Sequence, residues 1–115
     1  MSIALKGPYR LTADGIKGAI QTSRKGVFAL GHQDFDGRFR IAHVGRSDAD
    51  LQIALRDLIG TSAMFKYLET PSDRASFEAH CELYHKFKPP GNHLHPDRPK
   101  GTNWTCPRCL ALRNR

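Results

Sequence analysis

Long hydrophobic runs are missing from the sequence. No apolar stretch approaches the roughly 18 residues of a membrane-spanning helix. The apolar residues at positions 1–8 are broken by Gly7 and Pro8 too early for a signal peptide. The sequence therefore predicts a cytoplasmic protein with no membrane partner.

Cysteine is also scarce, and its three residues cannot all pair in disulfides. Two of them form the motif Cys106-Pro-Arg-Cys109. In a reducing compartment such a pair favours metal binding over a disulfide. A redox role for the motif would need a thioredoxin-like βαβ setting, which the sequence does not show.

Acidic residues are few beside the basic ones, 11 against 18, which gives a net charge of +7 and a pI near 9.7. Such a balance makes nucleic acid the first partner to consider. A small soluble protein that merely happens to be basic is the alternative. At 115 residues the chain has the size of one domain with one modest core.

Two stretches predict a β-hairpin. The apolar run at residues 26–30 is followed by Asp36-Gly37, a strong turn signal. In the next run, residues 38–44, Phe39 and Ile41 alternate with Arg38 and Arg40. This alternation predicts a strand with one apolar face and one basic face.

The remaining pattern adds helices and one more strand. Ser47 or Asp48 is expected to cap a helix that carries Leu51, Leu55 and Leu58 and stops at Gly60. A third strand is predicted over 63–68, and a last helix over 73–87. A short helix is predicted over 12–23, although two glycines weaken it.

These elements predict an α+β fold with a small three-stranded sheet, mixed or antiparallel, flanked by helices. We divide the chain into an N-terminal extension (1–25), a main domain (26–95) and a C-terminal tail (96–115) packed on the last helix. Residues 88–105 form a polar loop of unusual length, which suggests that something holds it in place.

The order of elements resembles the GIY-YIG endonuclease domain. Gly26-Val27-Phe28 opens one strand and His43-Val44-Gly45 closes the next. The last helix then runs through Leu83-Tyr84 into Lys88-Pro89 and Asn92, with the spacing seen in DNA-repair members of the family. The resemblance covers roughly residues 25–95 and implies a GIY-YIG-like fold.

The resemblance also implies metal-assisted phosphodiester hydrolysis. In this family a glutamate holds one divalent ion, usually Mg²⁺, and an arginine on the first helix contacts the phosphate. Two tyrosines position or deprotonate the attacking water. The candidate catalytic residues that the resemblance implies here are His43, Arg46, Arg56, Glu78, His80, Glu82 and Asn92.

Most of these positions depart from the family pattern. Phe28 and His43 replace the tyrosines, and Ala54 replaces the arginine, with Arg56 about 200° around the helix. The metal-binding glutamate falls on His80, a poor ligand for Mg²⁺. Glu78 and Glu82 each lie about 160° from His80 around the helix.

We therefore expect a nucleic-acid-binding protein with an eroded catalytic set and weak or no cleavage. One alternative is an active Mg²⁺- or Mn²⁺-dependent DNA endonuclease that uses His43 with Glu78 or Glu82 in a rearranged site. A second alternative is a protein-interaction module that regulates a nuclease.

The C-terminal part predicts a structural zinc site. Cys81 and His85, four residues apart, share one face of a helix, and Cys106 and Cys109 complete a set of four. Zinc accepts these ligands, and four of them leave no open position for catalysis. His80, His93 and His95 are alternatives to His85. Without zinc, Cys81 would be a small core residue and the tail would be loose.

Basic residues near the expected active face are candidates for phosphate contacts. Trp104 and Tyr67 are candidates for stacking on bases, with packing over the zinc site as the alternative for Trp104. The alternative for the basic side chains is a solvated surface. The predicted nucleic-acid-binding residues are Lys25, Arg38, Arg40, Arg46, Lys88 and Lys100.

Overall fold

The chain folds as an antiparallel sheet covered by helices, in a computed structural model that describes residues 4–21, 24–92 and 95–109. The order along the chain is β1 (Lys6–Arg10), α1 (Ala13–Ala19), β2 (Gly26–Gln33), β3 (Phe39–Ser47), α2 (Leu51–Arg56), β4 (Met64–Glu69) and α3 (Asp73–Phe87). The sheet order is β1-β4-β2-β3, and every neighbouring pair is antiparallel. The predicted α+β class is confirmed.

The predicted three-stranded sheet was one strand short. The missed strand, β1, pairs with β4 at the edge of the sheet. Gly7 and Pro8 lie in β1, and both residue types are depleted in strands. An edge strand tolerates proline because a backbone N–H that faces solvent has no ladder partner to lose.

The sheet buries both of its faces. Phe28 and Leu30 of β2 point to the face covered by α1 and α2, where they pack with Ile16 and Leu51. Val27 and Ala29 point to the opposite face, where Leu83 of α3 covers them. This explains why β2 is continuously apolar rather than alternating.

Side-chain caps set the helix starts. Ser72 caps α3 by accepting a hydrogen bond from the backbone N–H of Ala75 at 3.1 Å, and the bounds of α3 match the predicted helix. The cap of α2 is Asp50, which accepts from the N–H of Gln52 at 2.9 Å. The predicted caps of α2 were wrong, because the hydroxyl of Ser47 instead accepts from the N–H of Asp50.

The segment after α3 docks on β3, which is the other edge of the sheet. The backbone N–H of Gly91 donates to the carbonyl of Ala42 at 2.7 Å. A Cβ atom at Gly91 would lie 2.5 Å from that carbonyl oxygen, so only glycine permits this approach. Among the described residues, no helix has the length and apolar character needed to cross a membrane.

Candidate metal centre and basic face

Four side chains with metal-ligand chemistry meet beside the end of α3. His85 comes from the last turn of α3, His95 from the loop that follows, and Cys106 and Cys109 from the last described segment. Their ligand atoms all lie within 4.8 Å of one another. These four residues are therefore close enough to hold a metal ion.

The distances among His85, His95 and Cys109 match three edges of a tetrahedral zinc site. Zn–N bonds of about 2.05 Å and Zn–S bonds of about 2.3 Å give edges of about 3.3 Å for N···N and about 3.6 Å for N···S. The Nε2 atoms of His85 and His95 are 3.2 Å apart. The Sγ atom of Cys109 lies 3.4 Å from Nε2 of His85 and 3.6 Å from Nε2 of His95.

A hydrogen bond of His95 and the burial of His85 both favour metal binding by these side chains. Nδ1 of His95 donates to the carbonyl of Pro96 at 2.9 Å, since a carbonyl only accepts, and Nε2 is left as the ligand atom. Burial, with the neighbouring His95 as a second cause, lowers the pKa of His85. The ring of His85 is thus held toward the neutral form that binds metals.

The group shares three residues with the set predicted from sequence, and His95 stands where Cys81 was expected. Cys81 is fully buried on α3 and packs with Phe77 and Cys106. Burial, followed by its hydrogen bond with Cys106, raises the pKa of the Cys81 thiol. Cys81 therefore lies beside the centre as a neutral thiol. His93, another proposed ligand, lies outside the described residues.

Further contacts attach the C-terminal segment to α3. Arg108 forms an ion pair with the buried Glu82 at 3.5 Å. Trp104 packs against the cluster of Phe77, Cys81 and Cys106. The long loop is thus held at both ends, and Glu82 takes part in holding the tail.

Arg46 and His80 form a second polar contact, between β3 and α3. The guanidinium of Arg46 lies 3.0 Å from Nδ1 of His80, and it donates to the backbone carbonyl of Asp97. It also stacks over the ring of Phe77, 5.4 Å from the ring centre. Burial, followed by the charge of Arg46, lowers the pKa of His80 to about 4.

The other candidate catalytic residues make contacts of their own. His43 pairs with Leu30 and lines a cavity with Leu58, on the face that carries α2. Glu78 forms an ion pair with Arg74 at 3.5 Å, one helical turn away. The exposed Arg56 ends α2.

Asn92 has a structural contact. Its side-chain oxygen accepts from the backbone N–H of Val44 at 2.7 Å, and its amide donates to the Val44 carbonyl at 2.9 Å. This pair of bonds takes the place of a neighbouring strand at the edge of the sheet.

The predicted nucleic-acid-binding residues differ in how freely they face solvent. Lys25 is paired with Asp73 at 2.7 Å, and Arg40 with Asp34 at 2.6 Å. Arg38 is exposed, with a looser contact to Asp36 at 3.8 Å. Lys88 and Lys100 are exposed, whereas the Arg46 side chain is only 12% exposed. Tyr67, one of the two proposed stacking residues, is buried in the core.

Comparison with known proteins gives no assignment. The chain matches no protein-family model, no curated protein and no solved structure. Its function has to be argued from the chemistry of its own residues.

Proposed function

We propose that this chain is a nucleic-acid-binding protein with a GIY-YIG-like fold that does not cut its substrate efficiently. The observation that carries the proposal is the contact between Arg46 and His80. His80 occupies the position at which the resemblance would place the metal-binding glutamate of a nuclease.

The arrangement of elements supports the fold part of the proposal. The hairpin β2–β3, the following helix α2, strand β4 and the final helix α3 succeed one another in the order of the GIY-YIG domain. Strand β2 lies between β3 and β4. Asn92 follows α3 and contacts Val44, the middle residue of the second tripeptide motif.

The chemistry at this position argues against cleavage. A histidine whose pKa is lowered to about 4 is neutral at pH 7 and offers nitrogen, whereas Mg²⁺ prefers oxygen ligands. The guanidinium of Arg46 is 3.0 Å from the ring and would repel a divalent ion. The nearest glutamates on the same helix, Glu78 and Glu82, are each engaged with an arginine.

We further propose that the ion held by His85, His95, Cys106 and Cys109 is zinc. Two imidazoles and two thiolates are a common ligand set for zinc, and the three distances among His85, His95 and Cys109 fit its tetrahedral geometry. Four protein ligands close the coordination sphere, so the ion would be structural. It would join the tail to α3, and its binding energy would add to the stability of the fold.

The charge of the chain supports nucleic acid as the partner. A net charge of +7 attracts the phosphate backbone, and Lys88 and Lys100 are exposed on the segment that carries the metal centre. Phosphate contacts position a nucleic acid without reading its sequence. We therefore expect binding that tolerates different sequences and weakens steeply with salt.

Fluorescence anisotropy with labelled single-stranded, duplex and branched DNA at several salt concentrations tests this proposal. Replacing Lys88 and Lys100 together by Gln should weaken binding and reduce the salt slope by about 2, since each phosphate contact contributes about 0.9. The matched control is Lys17→Gln, an exposed lysine on α1. Absence of binding to every DNA at low salt would contradict the proposal and favour a protein partner.

A further inference from the structure

A cleft of about 300 Å³ lies between the loop that follows α3 and the C-terminal segment. The loop contributes His95, Asp97 and Arg98 to its lining, and the opposite segment contributes Trp104 and Thr105. Phe77 of α3 also lines it. This volume is at the lower end of the range for small-molecule sites, so it suits one flat ring better than a larger ligand.

The lining combines an aromatic ring with charged side chains, the guanidinium of Arg98 and the carboxylate of Asp97. Trp104 is the only tryptophan of the chain and is half-buried. The guanidinium of Arg74 lies 6.0 Å from the centre of its indole ring, and Arg74 itself does not line the cleft. Arg98 lines the cleft and is exposed to solvent. An aromatic platform with two nearby guanidinium groups is the combination that binds single-stranded nucleic acid.

We infer that this cleft takes one unstacked base of a single-stranded nucleic acid, which lies against the indole ring of Trp104. Arg98 contacts the adjoining phosphate. The carboxylate of Asp97 and the hydroxyl of Thr105 offer an acceptor and a donor to the edge of the base. The inference rests on the proposed function and adds to it the place and the chemistry of one contact.

The metal centre connects the two walls of this cleft. His95 belongs to one wall and Cys106 and Cys109 to the other, and all three also belong to the metal-binding group. An ion bound there fixes the separation of Trp104 from the loop at 95–98. Base binding in the cleft should therefore weaken when the metal is removed.

The emission of Trp104 tests the inference directly, because no other tryptophan contributes to it. The probe is a short oligodeoxythymidylate, and the control is an abasic strand with the same sugar–phosphate backbone. Stacking should quench the emission only with the base-bearing strand. That strand should bind about 5- to 150-fold more tightly than the abasic one.

The three possible results distinguish failure of the inference from failure of the proposed function. Equal affinity for the two strands with unchanged emission would overturn the base-binding cleft and leave electrostatic binding intact. Failure of both strands to bind would overturn both. Tighter binding of the base-bearing strand with quenched emission supports both.

Two variants extend the test. Trp104→Leu should remove the preference for the base-bearing strand, whereas Trp104→Phe should keep part of it because a ring remains. Since Trp104 packs on a buried cluster, Arg98→Ala serves as a variant at an exposed site with little risk to folding. Loss of Arg98 should weaken oligothymidylate binding several-fold. Unchanged affinity in both Trp104→Leu and Arg98→Ala would overturn the inference.

Discussion

The side chain of Asn92 forms two hydrogen bonds with the backbone of Val44, at the edge of the sheet formed by β3. Its side-chain amide makes both of the bonds that a neighbouring backbone would make, at 2.7 and 2.9 Å. Together with the Gly91–Ala42 bond, this contact fixes the path of the chain as it leaves α3. The loop that carries His95 begins from that fixed point.

Replacing Asn92 by Ala should lower the free energy of unfolding by about 1–3 kcal/mol, because the N–H and the C=O of Val44 both lose their partner. Urea denaturation measures this. Asn103→Ala, at an exposed position, is the control and should change the value by less than about 0.5 kcal/mol. Equal effects of the two substitutions would show that the contact between Asn92 and Val44 adds nothing to the free energy of unfolding.

Removal of a ligand tests the metal centre. We expect the purified protein to contain about one zinc ion per chain. Changing His95 to Ala should weaken zinc binding by more than about 100-fold, beyond the loss typical of an outer-sphere residue. Changing Cys81 to Ala should preserve the metal content, because Cys81 lies beside the four-residue group and not within it.

Elemental analysis after dialysis against a weak chelator gives the metal content of each variant. The reverse pattern, with zinc lost in Cys81→Ala and kept in His95→Ala, would favour the ligand set predicted from the sequence. Zinc absent from the unmodified protein, and not taken up when supplied, would exclude the centre altogether.

The His80 ring predicts a pH dependence of stability. Its pKa is about 4 in the folded protein against a usual value of 6.5, so the unfolded chain binds more protons between these values. The contribution of His80 to the free energy of unfolding is therefore fully present above pH 6.5 and is lost as the pH decreases toward about 4. Between about pH 7.5 and about pH 5 the loss from this one group should be about 2 kcal/mol.

The matched variant for this effect is His80→Asn, which keeps an acceptor for Arg46 and does not titrate. Urea denaturation at both pH values should show a smaller loss of stability in the variant than in the unmodified protein. An identical pH dependence in the two proteins would contradict the lowered pKa of His80.

Two glycines of α1 predict opposite effects of the same substitution. A Cβ atom at Gly18 would meet no atom within 4 Å, so Gly18→Ala should raise the free energy of unfolding by up to about 1 kcal/mol. A Cβ atom at Gly15 would lie 2.1 Å from the carbonyl oxygen of Arg10. Gly15→Ala should therefore lower the free energy of unfolding by about 1–3 kcal/mol, as overpacking does. Thermal or urea unfolding of the two variants beside the unmodified protein measures the direction of each change.

The sequence predicted the elements with strong local signals. Pro71 before α3, and Pro89 and Pro90 after Phe87, are such signals, and the predicted bounds of α3 match those of the structure. Strands β2, β3 and β4 follow from β-branched and aromatic runs, although their ends differ by up to three residues. Strand β1 has no such signal, because it depends on pairing with β4, far along the chain.

The metal centre was predicted only in part, for a similar reason. Cys81 and His85 satisfy the helical spacing of four residues, which is visible in a sequence. His95 lies in a loop, and its position depends on the docking of the preceding segment on β3 and on its bond to Pro96. Neither contact leaves a pattern in the sequence beyond the presence of a histidine near a proline.

The proposal that this chain binds nucleic acid without cutting it is tested most directly by one gel. Labelled single-stranded, duplex and branched DNA are incubated with the protein without an added divalent ion, with Mg²⁺ or with Mn²⁺, beside a His43→Ala variant. We expect shifted bands and intact DNA under all three conditions. Metal-dependent cutting that the His43→Ala variant loses would contradict the account and establish an active endonuclease.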